Sequence, residues 1–428
     1  MYWSKYNRIY RVDNERFAIY NYAWNKCVFI VNYLMDILQE HINAVDNLSN
    51  VHSSFYDSLV ANNMIVTDSS KEIQSVKQHI LSTLSSSKKL RLTINPTLDC
   101  NLRCWYCYET HNSKAYMNEQ TIKSIGNFVG TQLSKDFENV VLAFFGGEPL
   151  LTASKRALPI AKMISGICRE NGTPLSLHFT TNGSLLKPAI IDKIVDLDLP
   201  TTFQIAFDGD RTLHNKTKNW AGVGTYDIVL NNIDYALSKK LRVNIRCNYT
   251  AENITSFHNL IDDISKLEHN DKSFIGISFQ RVWQETATKE LFEQAKCLNE
   301  YASSLGYNTD LGGAVCAKSY CYADFDDSYV INYNGDVFKC TARDFDSTHK
   351  LGKLNSDGEL VNIDSTYKSS MRIKPYCEEC SLLPICTICS QTHRENIKNS
   401  CPKIISEEDK EGQIERRFYE MFSEYIYS

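Results

Sequence analysis

Three closely spaced cysteines constrain this chain more than any other feature of its sequence. They read Cys100-Asn-Leu-Arg-Cys104-Trp-Tyr-Cys107 and directly follow a strand-like run, Arg91 to Asn95. A [4Fe-4S] cluster normally takes four cysteine ligands, so a loop with three thiolates would leave one iron open to an exchangeable ligand. The alternatives to a cluster are a structural zinc site and three unrelated buried thiols. Zinc loops favour CxxC pairs, which this spacing only partly provides.

The loop resembles the cysteine motif of the radical SAM superfamily, whose members use S-adenosylmethionine (SAM). The two gaps and the aromatic residue before the last cysteine, here Tyr106, carry the resemblance. The resemblance implies that Cys100, Cys104 and Cys107 hold a [4Fe-4S] cluster that passes an electron to SAM. The 5′-deoxyadenosyl radical formed in this family abstracts hydrogen from an unactivated carbon.

Composition excludes several classes of function. The chain has 428 residues and a net charge of -5, which does not favour nucleic acid as a partner. No apolar run reaches the roughly 18 residues of a membrane helix, and no signal peptide is visible. Fifteen cysteines without a secretion signal predict metal ligation in a reducing cytoplasm. Four of them stand alone and are expected to be small buried hydrophobic residues: Cys27, Cys168, Cys247 and Cys297.

The middle of the chain predicts an α/β fold, because six strand-like runs alternate with stretches of helical length. The runs are Arg91 to Asn95, Val140 to Phe145, Leu175 to Thr181, Thr202 to Phe207, Arg242 to Asn248 and Phe274 to Phe279. Six βα units in series predict a parallel sheet. The family resemblance implies a partial (β/α)6 TIM-like barrel over residues 90–305, with the active site at the carboxyl ends of the strands.

Polar motifs follow several of these strands, and the resemblance assigns them to SAM. The run Gly146-Gly147-Glu148-Pro149 resembles the family's GGEP motif, which binds the methionine amino group. Thr181 and Asn182 lie where the family binds ribose and carboxylate. The alternative for both segments is an ordinary turn at the end of a strand.

The fourth and fifth strands carry the remaining candidates for the SAM site. The family often has a serine two residues before an Asp-Gly pair, but here Ala206 precedes Asp208, and Gln204 shares its face of the strand. Gln204 is therefore the candidate replacement for the hydroxyl, and Asp208 is a candidate catalytic residue. Arg246 on the fifth strand needs an anion, either the SAM carboxylate or a glutamate on a helix.

A second array of eight cysteines crowds the last third of the chain and matches two four-cysteine clusters in number. Its order resembles the SPASM extension of radical SAM peptide modifiers, which carries two auxiliary clusters, and pairs of zinc sites are the alternative. The resemblance implies one cluster on Cys316, Cys321, Cys340 and Cys389, and another on Cys377, Cys380, Cys386 and Cys401. The gap before Cys389 is one residue shorter than in the family. Asn334-Gly335 predicts a tight type I′ hairpin that leads to Cys340.

Domain organisation follows from these segments. Residues 1–81 show three strand-like runs and then helical patterns, resembling in outline the winged-helix modules that hold leader peptides; a plain capping domain is the alternative. The serine-rich stretch Ser82 to Lys89 is expected to be a linker. Residues 306–402 form the expected SPASM domain, and residues 403–428 a C-terminal helix.

The expected function is that of a radical SAM/SPASM maturase, which installs an oxidative cross-link, thioether or carbon-carbon, in a ribosomally made precursor peptide (RiPP). Its cofactors would be SAM and three [4Fe-4S] clusters, and its partners a leader-bearing peptide and an electron donor such as flavodoxin or ferredoxin. An anaerobic sulfatase-maturing enzyme, which makes formylglycine, is a second candidate. In that family an aspartate follows the hairpin cysteine, whereas this chain has Thr341. A peptide epimerase and a non-enzymatic iron-sulfur sensor are also compatible with the motifs.

Overall fold

A computed structural model describes residues 1–311, 320–367, 372–396, 398–403 and 405–426, which group into two compact units. The first unit combines Met1–Ser86 with the described residues of 315–326 and 366–428. The second unit comprises the described residues of 87–314 together with 327–365.

The N-terminal part of the first unit contains two small antiparallel sheets, one of β1 and β5 and one of three strands. Its strands are β1 (Tyr2–Trp3), β2 (Asn7–Arg11), β3 (Arg16–Asn21), β4 (Lys26–Val31) and β5 (Ile65–Val66), and its helices are α1 (Asn32–His41), α2 (Leu48–Val51), α3 (Ser53–Ala61) and α4 (Ser69–Ser85). Strands β2, β3 and β4 form the three-stranded sheet, which confirms the three strands expected there.

Helix α4 corrects the expected linker, because it continues through Ser85 and so includes the first half of the serine-rich stretch. Asp68 caps its start by accepting hydrogen bonds from the backbone of Ser70 and Lys71. Val76, Ile80 and Leu84 recur every four residues and are buried on one face of the helix. Burial of this face outweighs the low helix propensity of the serines.

The second unit is built on one large sheet. Its strands are β6 (Lys89–Ile94), β7 (Asn139–Phe144), β8 (Leu175–Thr181), β9 (Thr201–Phe207), β10 (Asn219–Trp220), β11 (Val223–Gly224), β12 (Arg242–Tyr249), β13 (Ile275–Arg281), β14 (Asn308–Leu311), β15 (Ser328–Ile331), β16 (Asp336–Phe338), β17 (Lys350–Leu354) and β18 (Leu360–Val361). Its helices are α5 (Glu119–Gln132), α6 (Leu158–Glu170), α7 (Pro188–Val195), α8 (Arg211–Thr217), α9 (Tyr226–Ser238), α10 (Phe257–Ser265) and α11 (Lys289–Ser304). Strands β10 and β11 form a separate hairpin.

The six expected strands are confirmed as β6, β7, β8, β9, β12 and β13, which are parallel neighbours in chain order. This order never reverses, unlike that of a doubly wound sheet. The sheet also extends at both edges: β14 joins β13 in parallel, and β15 joins β6 in parallel before β16, β17 and β18 continue antiparallel. The expected boundary at residue 306 therefore differs from the structure, in which β14 to β18 belong to the large sheet.

The two faces of this sheet differ in polarity. Along β8 and β9, fully buried residues alternate with half-buried ones. Phe144, Phe179 and Phe203 lie on the buried face, with ring centroids 4.9 and 5.5 Å apart in turn. The opposite face carries half-buried His178, Gln204 and their polar neighbours. A parallel sheet covered on both faces would instead be apolar throughout, so one face is available for polar ligands.

The hairpin of β15 and β16 is confirmed, but its turn is not type I′. That turn requires a positive φ at both central residues, whereas Gly335 has φ of 81° and Asn334 is not among the described residues with positive φ. The backbone N–H of Gly335 donates to Asn332, and that of Asn332 donates to Asp336. A β-turn followed by a left-handed glycine therefore connects the strands.

The C-terminal part of the first unit shares a core with the N-terminal part. Helices α12 (Ser390–Glu395) and α13 (Glu407–Ile426) belong to it. Phe418 of α13 is fully buried and stacks on Tyr10 with ring centroids 4.6 Å apart. Arg8 forms two hydrogen bonds of 2.6 Å with Glu411, and the hydroxyl of Tyr22 donates to the backbone of Ser381. The N-terminal residues are thus packed within this unit, contrary to the expectation of a separately tethered module.

The four isolated cysteines differ in burial. Cys168 and Cys247 are buried as expected, and Cys27 is half-buried, but Cys297 is exposed on α11, so that expectation was wrong. Its neighbours Ala295 and Leu298 take the buried positions of that helix.

Across the described residues, no helix combines the length and the apolar character that a membrane crossing requires.

We predict that Phe418→Ala lowers the free energy of unfolding by about 3–5 kcal/mol, the range for removing a buried aromatic ring. Denaturation monitored by circular dichroism measures the loss. The control is Tyr425→Ala on the same helix, where a side chain that is 61% exposed should cost about 1 kcal/mol or less. Equal losses for the two variants would contradict the shared core.

Candidate functional site

The cysteine loop is fastened to the end of β7 by close backbone contacts. Gly147 donates its N–H to the carbonyl of Thr97, and Glu148 donates to the carbonyl of Asp99. A Cβ at Gly147 would collide with the backbone of Asp99, and Gly146 has φ of 98°. Glycine is required at both positions. The glycines of the GGEP run therefore let the segment before Cys100 approach the sheet.

The three thiols of the loop lie in one partly buried environment. Burial raises the pKa of Cys100 to about 12, with the nearby Glu148, Cys104 and Cys107 acting in the same direction. Burial also raises the pKa of Cys104 and of Cys107. The backbone N–H of Leu102 donates to the sulfur of Cys100 over 3.4 Å. Raised pKa values favour the neutral thiols, and a bound cation or cluster would favour the thiolate forms that serve as its ligands.

Glu148 is fully buried and is occupied by the protein itself. Its carboxylate accepts from the backbone N–H groups of Leu150 and Asn182 and from the hydroxyl of Thr181, all within 2.8–2.9 Å. Burial raises the pKa of Glu148 to about 7, although these three hydrogen bonds lower it. The side chain thus joins the end of β7 to the end of β8, and an ammonium would have to share its oxygens.

Asn182 continues this connection to the cysteine loop. Its amide donates to Asn101 over 3.0 Å and approaches the sulfur of Cys100 at 3.8 Å. Its carbonyl oxygen accepts from the backbone and hydroxyl of Ser184. Thr181 and Asn182, both expected at the SAM site, are therefore brought beside the first cysteine.

Gln204 and Arg246 lie on the polar face of the sheet. Arg246 is in register with Ala206 on one side and Ser278 on the other. Its guanidinium donates to Asn248 over 2.9 Å, and burial lowers its pKa. No carboxylate of the described chain forms an ion pair with Arg246 within 4.0 Å. The helix glutamate considered from the sequence is therefore not its partner here, and the guanidinium is suited to an anionic ligand.

Asp208 is buried in an ion pair that the sequence did not predict. Lys218 donates to one oxygen of its carboxylate over 2.5 Å, and the hydroxyl of Tyr106 donates to the other over 2.6 Å. Asn248 also donates to the Tyr106 hydroxyl. A proton-accepting role for Asp208 would require this pair to separate. Asp208 and Tyr106 border a cavity of about 260 Å³ that Trp105, Thr250 and Val282 also line.

The residues present suit a cluster and a polar cofactor. Three thiols share one loop, and the fully buried amide of Asn95, at the end of β6, has no hydrogen-bond partner for its oxygen or nitrogen in the described chain. An unpaired buried amide costs free energy unless a ligand satisfies it. The donor set and this unpaired amide therefore fit the iron-sulfur cluster and SAM that the sequence suggests.

Four cysteines of the second array surround one pocket in the first unit. Cys377, Cys380, Cys386 and Cys401 line it together with Arg372 and His393. Among the described residues, no three cysteine thiols lie within 4.8 Å of one another. Tetrahedral zinc with Zn–S bonds of about 2.3 Å would bring its sulfurs to roughly 3.8 Å. The four thiols around this pocket are therefore candidate ligands of one metal site.

The other expected auxiliary site is only partly described. The interaction between the thiols of Cys321 and Cys389 lowers the pKa of Cys389 and raises that of Cys321. Cys340 belongs to the second unit, where its sulfur accepts from the backbone of Ala342 over 3.3 Å. Cys316 lies outside the described residues. The pairing of Cys321 with Cys389 is compatible with the expected ligand set despite the shortened gap.

The sequence patterns do not indicate a functional role for three polar residues of this region: Asn95, Lys218 and Ser278. Asn95 ends a run that predicts a strand and nothing more, and Lys218 lies in a polar stretch that resembles a solvated helix end. Ser278 lies within an apolar strand. The two-residue period of β13 nevertheless places it on the same face as Gln280. The buried position of Lys218 had no signal in the sequence.

Part of this chain is similar to a known protein family. Residues 94–264 match the model of the Radical SAM superfamily. A cysteine-type anaerobic sulfatase-maturating enzyme from Clostridium novyi is 24% identical over 357 residues, which cover 73% of this chain and 91% of that protein.

Two solved structures share the fold. Native anSMEcpe with bound AdoMet and Cp18Cys peptide has a TM-score of 0.57 and 18% identity, covering 79% of this chain and 98% of that one. Streptococcus suis SuiB bound to precursor peptide SuiA has a TM-score of 0.52 and 14% identity, covering 94% of this chain and 98% of that one. The second unit is therefore an α/β radical SAM fold with a large, mostly parallel sheet.

We predict that replacing Glu148 changes how the stability of the apoprotein depends on pH. With a pKa raised from 4.5 to about 7, the native state holds a proton that the unfolded state has lost. This contribution to stability is present below pH 4.5 and is lost as pH rises through about 7. Glu148→Gln cannot titrate, so its stability relative to wild type should increase from pH 5 to pH 8 in denaturant unfolding.

The exposed Glu138 supplies the control, because Glu138→Gln also removes one carboxylate but from the surface. A wild-type protein that gains stability over Glu148→Gln as pH rises would show that the three hydrogen bonds, and not burial, dominate at this carboxylate.

Proposed function

We propose that this chain, a radical SAM enzyme through its domain at residues 94–264, installs an oxidative cross-link in a ribosomally synthesised precursor peptide. The bond formed would be a thioether or a carbon-carbon bond. The observation that carries the proposal is the cysteine loop fixed over the ends of β7 and β8, together with a second set of four cysteines around one pocket. A cross-link removes two hydrogens, and auxiliary clusters offer a route for the second electron.

The residues that would hold the cofactors follow from the geometry. Cys100, Cys104 and Cys107 would bind the first cluster, and Arg246 would bind the SAM carboxylate, with Ser278 and Gln204 nearby on the polar face. Gly146, Gly147 and Glu148 would hold the cysteine loop and contribute backbone and carboxylate acceptors to the SAM ammonium, beside Thr181 and Asn182. When bound, the cluster and SAM supply a 5′-deoxyadenosyl radical that removes a hydrogen atom from the substrate.

The remaining residues would handle the peptide and the second electron. The pocket of Cys377, Cys380, Cys386 and Cys401 would hold one auxiliary cluster; Cys316, Cys321, Cys340 and Cys389 would hold the other. The N-terminal sheet and helices of residues 1–81 would dock a leader segment, in the manner of a winged-helix module, and raise the local concentration of the core peptide. A small electron-transfer protein such as flavodoxin or ferredoxin would supply the first electron in the cytoplasm.

Peptide binding by related structures supports a peptide substrate. SuiB was solved with precursor peptide SuiA, and anSMEcpe with the Cp18Cys peptide. The similarity to a sulfatase-maturating enzyme keeps formylglycine formation as a second candidate. Against it, Thr341 follows Cys340 where that family has an aspartate. Epimerisation is a third outcome, and it needs no net loss of hydrogen.

Tandem mass spectrometry of the modified peptide tests the proposal. A precursor peptide encoded beside this protein should, after co-expression, lose about 2 Da for each cross-link, since two hydrogens leave as one bond forms. Backbone fragments between the two joined residues should be suppressed, and no deuterium should enter at carbon in heavy water. Cys377→Ala is the matched control and should give an unmodified peptide, because the pocket would lose one cluster ligand.

Three other outcomes would contradict the cross-link. One deuteron gained with full fragmentation indicates an epimerase. The same loss of mass with a hydrazide-reactive aldehyde and an unbroken fragment series indicates formylglycine. An unmodified peptide with wild-type enzyme that cleaves SAM indicates a different substrate.

A further inference from the structure

We propose that Lys218 is a positioning residue for the cysteine loop and acts on it through the hydroxyl of Tyr106. The inference rests on the proposed cluster at Cys100, Cys104 and Cys107. Lys218 would hold the part of that loop between Cys104 and Cys107. Tyr106 lies between the last two cysteines, so a restraint on its ring is a restraint on the loop.

Burial of Lys218 calls for an explanation beyond stability. Its side chain is 3% exposed, as is that of Asp208. Removing both charges from water carries a large desolvation cost, and apolar residues of similar size often stabilise such a position equally well. A buried ion pair at this place is better explained by the geometry it imposes on its third member, Tyr106.

The backbone around Lys218 is firmly held. Lys218 directly follows α8, and its N–H donates to His214 over 2.6 Å. Its carbonyl accepts from both the N–H and the hydroxyl of Thr225. The backbone of Asp208 accepts in turn from the amide of Asn253. Both charged residues are therefore fixed points on the large sheet and its helices.

The hydroxyl of Tyr106 is saturated by this arrangement. It donates to Asp208 over 2.6 Å and accepts from Lys218 over 2.9 Å and from Asn248 over 3.1 Å. The backbone carbonyl of Tyr106 accepts from the amide of Gln284 over 2.9 Å. Hydrogen bonds thus hold both the side chain and the backbone of Tyr106. They thereby also restrict the position of the adjacent Cys107.

The test compares Lys218→Met, Lys218→Arg and the control Lys296→Met in reconstituted full-length protein. Lys296 is 53% exposed and pairs with Glu300 on the same helix, so its loss removes a lysine from the surface only. We expect Lys218→Met to bind SAM roughly tenfold to a hundredfold more weakly, the range for residues that orient metal ligands. It should also lose the SAM-induced change in the electron paramagnetic resonance spectrum of the reduced cluster at a SAM concentration that saturates wild type.

Two comparisons separate positioning from a general structural role. Lys218→Arg should restore the SAM-dependent spectrum, because a guanidinium can donate to both Asp208 and Tyr106. Tyr106→Phe should weaken SAM binding in the same direction, and adding Lys218→Met to it should cause little further loss, since both act through one hydroxyl. If Lys218→Met does not fold, Tyr106→Phe carries the test alone.

Wild-type affinity and spectrum in Lys218→Met, or in Tyr106→Phe, would overturn the proposal. Additive losses in the double variant, or no rescue by arginine, would overturn it as well. Wild-type protein that binds no iron would overturn the proposed function together with this inference, whereas normal binding by wild type and Lys218→Met alike would overturn the inference alone.

Discussion

The close approach of two backbone segments is the constraint on which the site depends. The segment from Thr97 to Asp99 lies against Gly146 and Gly147, where no side chain could be accommodated. Hydrogen bonds from Gly147 and Glu148 fix that approach, and the buried carboxylate of Glu148 ties the same point to the next strand. A flexible cysteine loop thereby becomes a fixed one, as metal ligands require if they are to be preorganised.

Buried charged side chains in the second unit are arranged in two different ways. Asp208 and Lys218 neutralise each other and hold Tyr106 in place. Arg246 lacks a carboxylate partner in the described chain and lies on the polar face of the sheet, two residues from Asn248. Because an unpaired guanidinium tolerates burial only with an anion nearby, the first arrangement suits a structural task and the second suits ligand binding. The unpaired amide of Asn95 points to the same conclusion.

Regular apolar patterns in the sequence predict the strands of the fold. Single contacts between residues far apart in the chain could not be predicted in this way. The six parallel strands follow from apolar runs, and β8 matches its expected bounds of Leu175–Thr181. The expected linker was wrong because Leu84 is buried in the core of the first unit, which composition alone does not reveal. The turn type was wrong because Asn334 does not adopt the left-handed conformation. Cysteine spacing identified the candidate ligands, whereas the burial of Lys218 depends on residues far apart in the chain.

Production of 5′-deoxyadenosine measures most directly whether the cysteine loop binds the cluster that acts on SAM. Anaerobically reconstituted wild-type protein should release it with a strong reductant and no peptide, and should hold about twelve irons per chain if three [4Fe-4S] clusters form. Replacing Cys100, Cys104 and Cys107 with alanine should abolish release, whereas Cys377→Ala should preserve it. Release that persists in the triple variant would show that these three cysteines do not hold the cluster that acts on SAM. A wild-type protein that binds iron without releasing 5′-deoxyadenosine would indicate a non-enzymatic iron-sulfur protein.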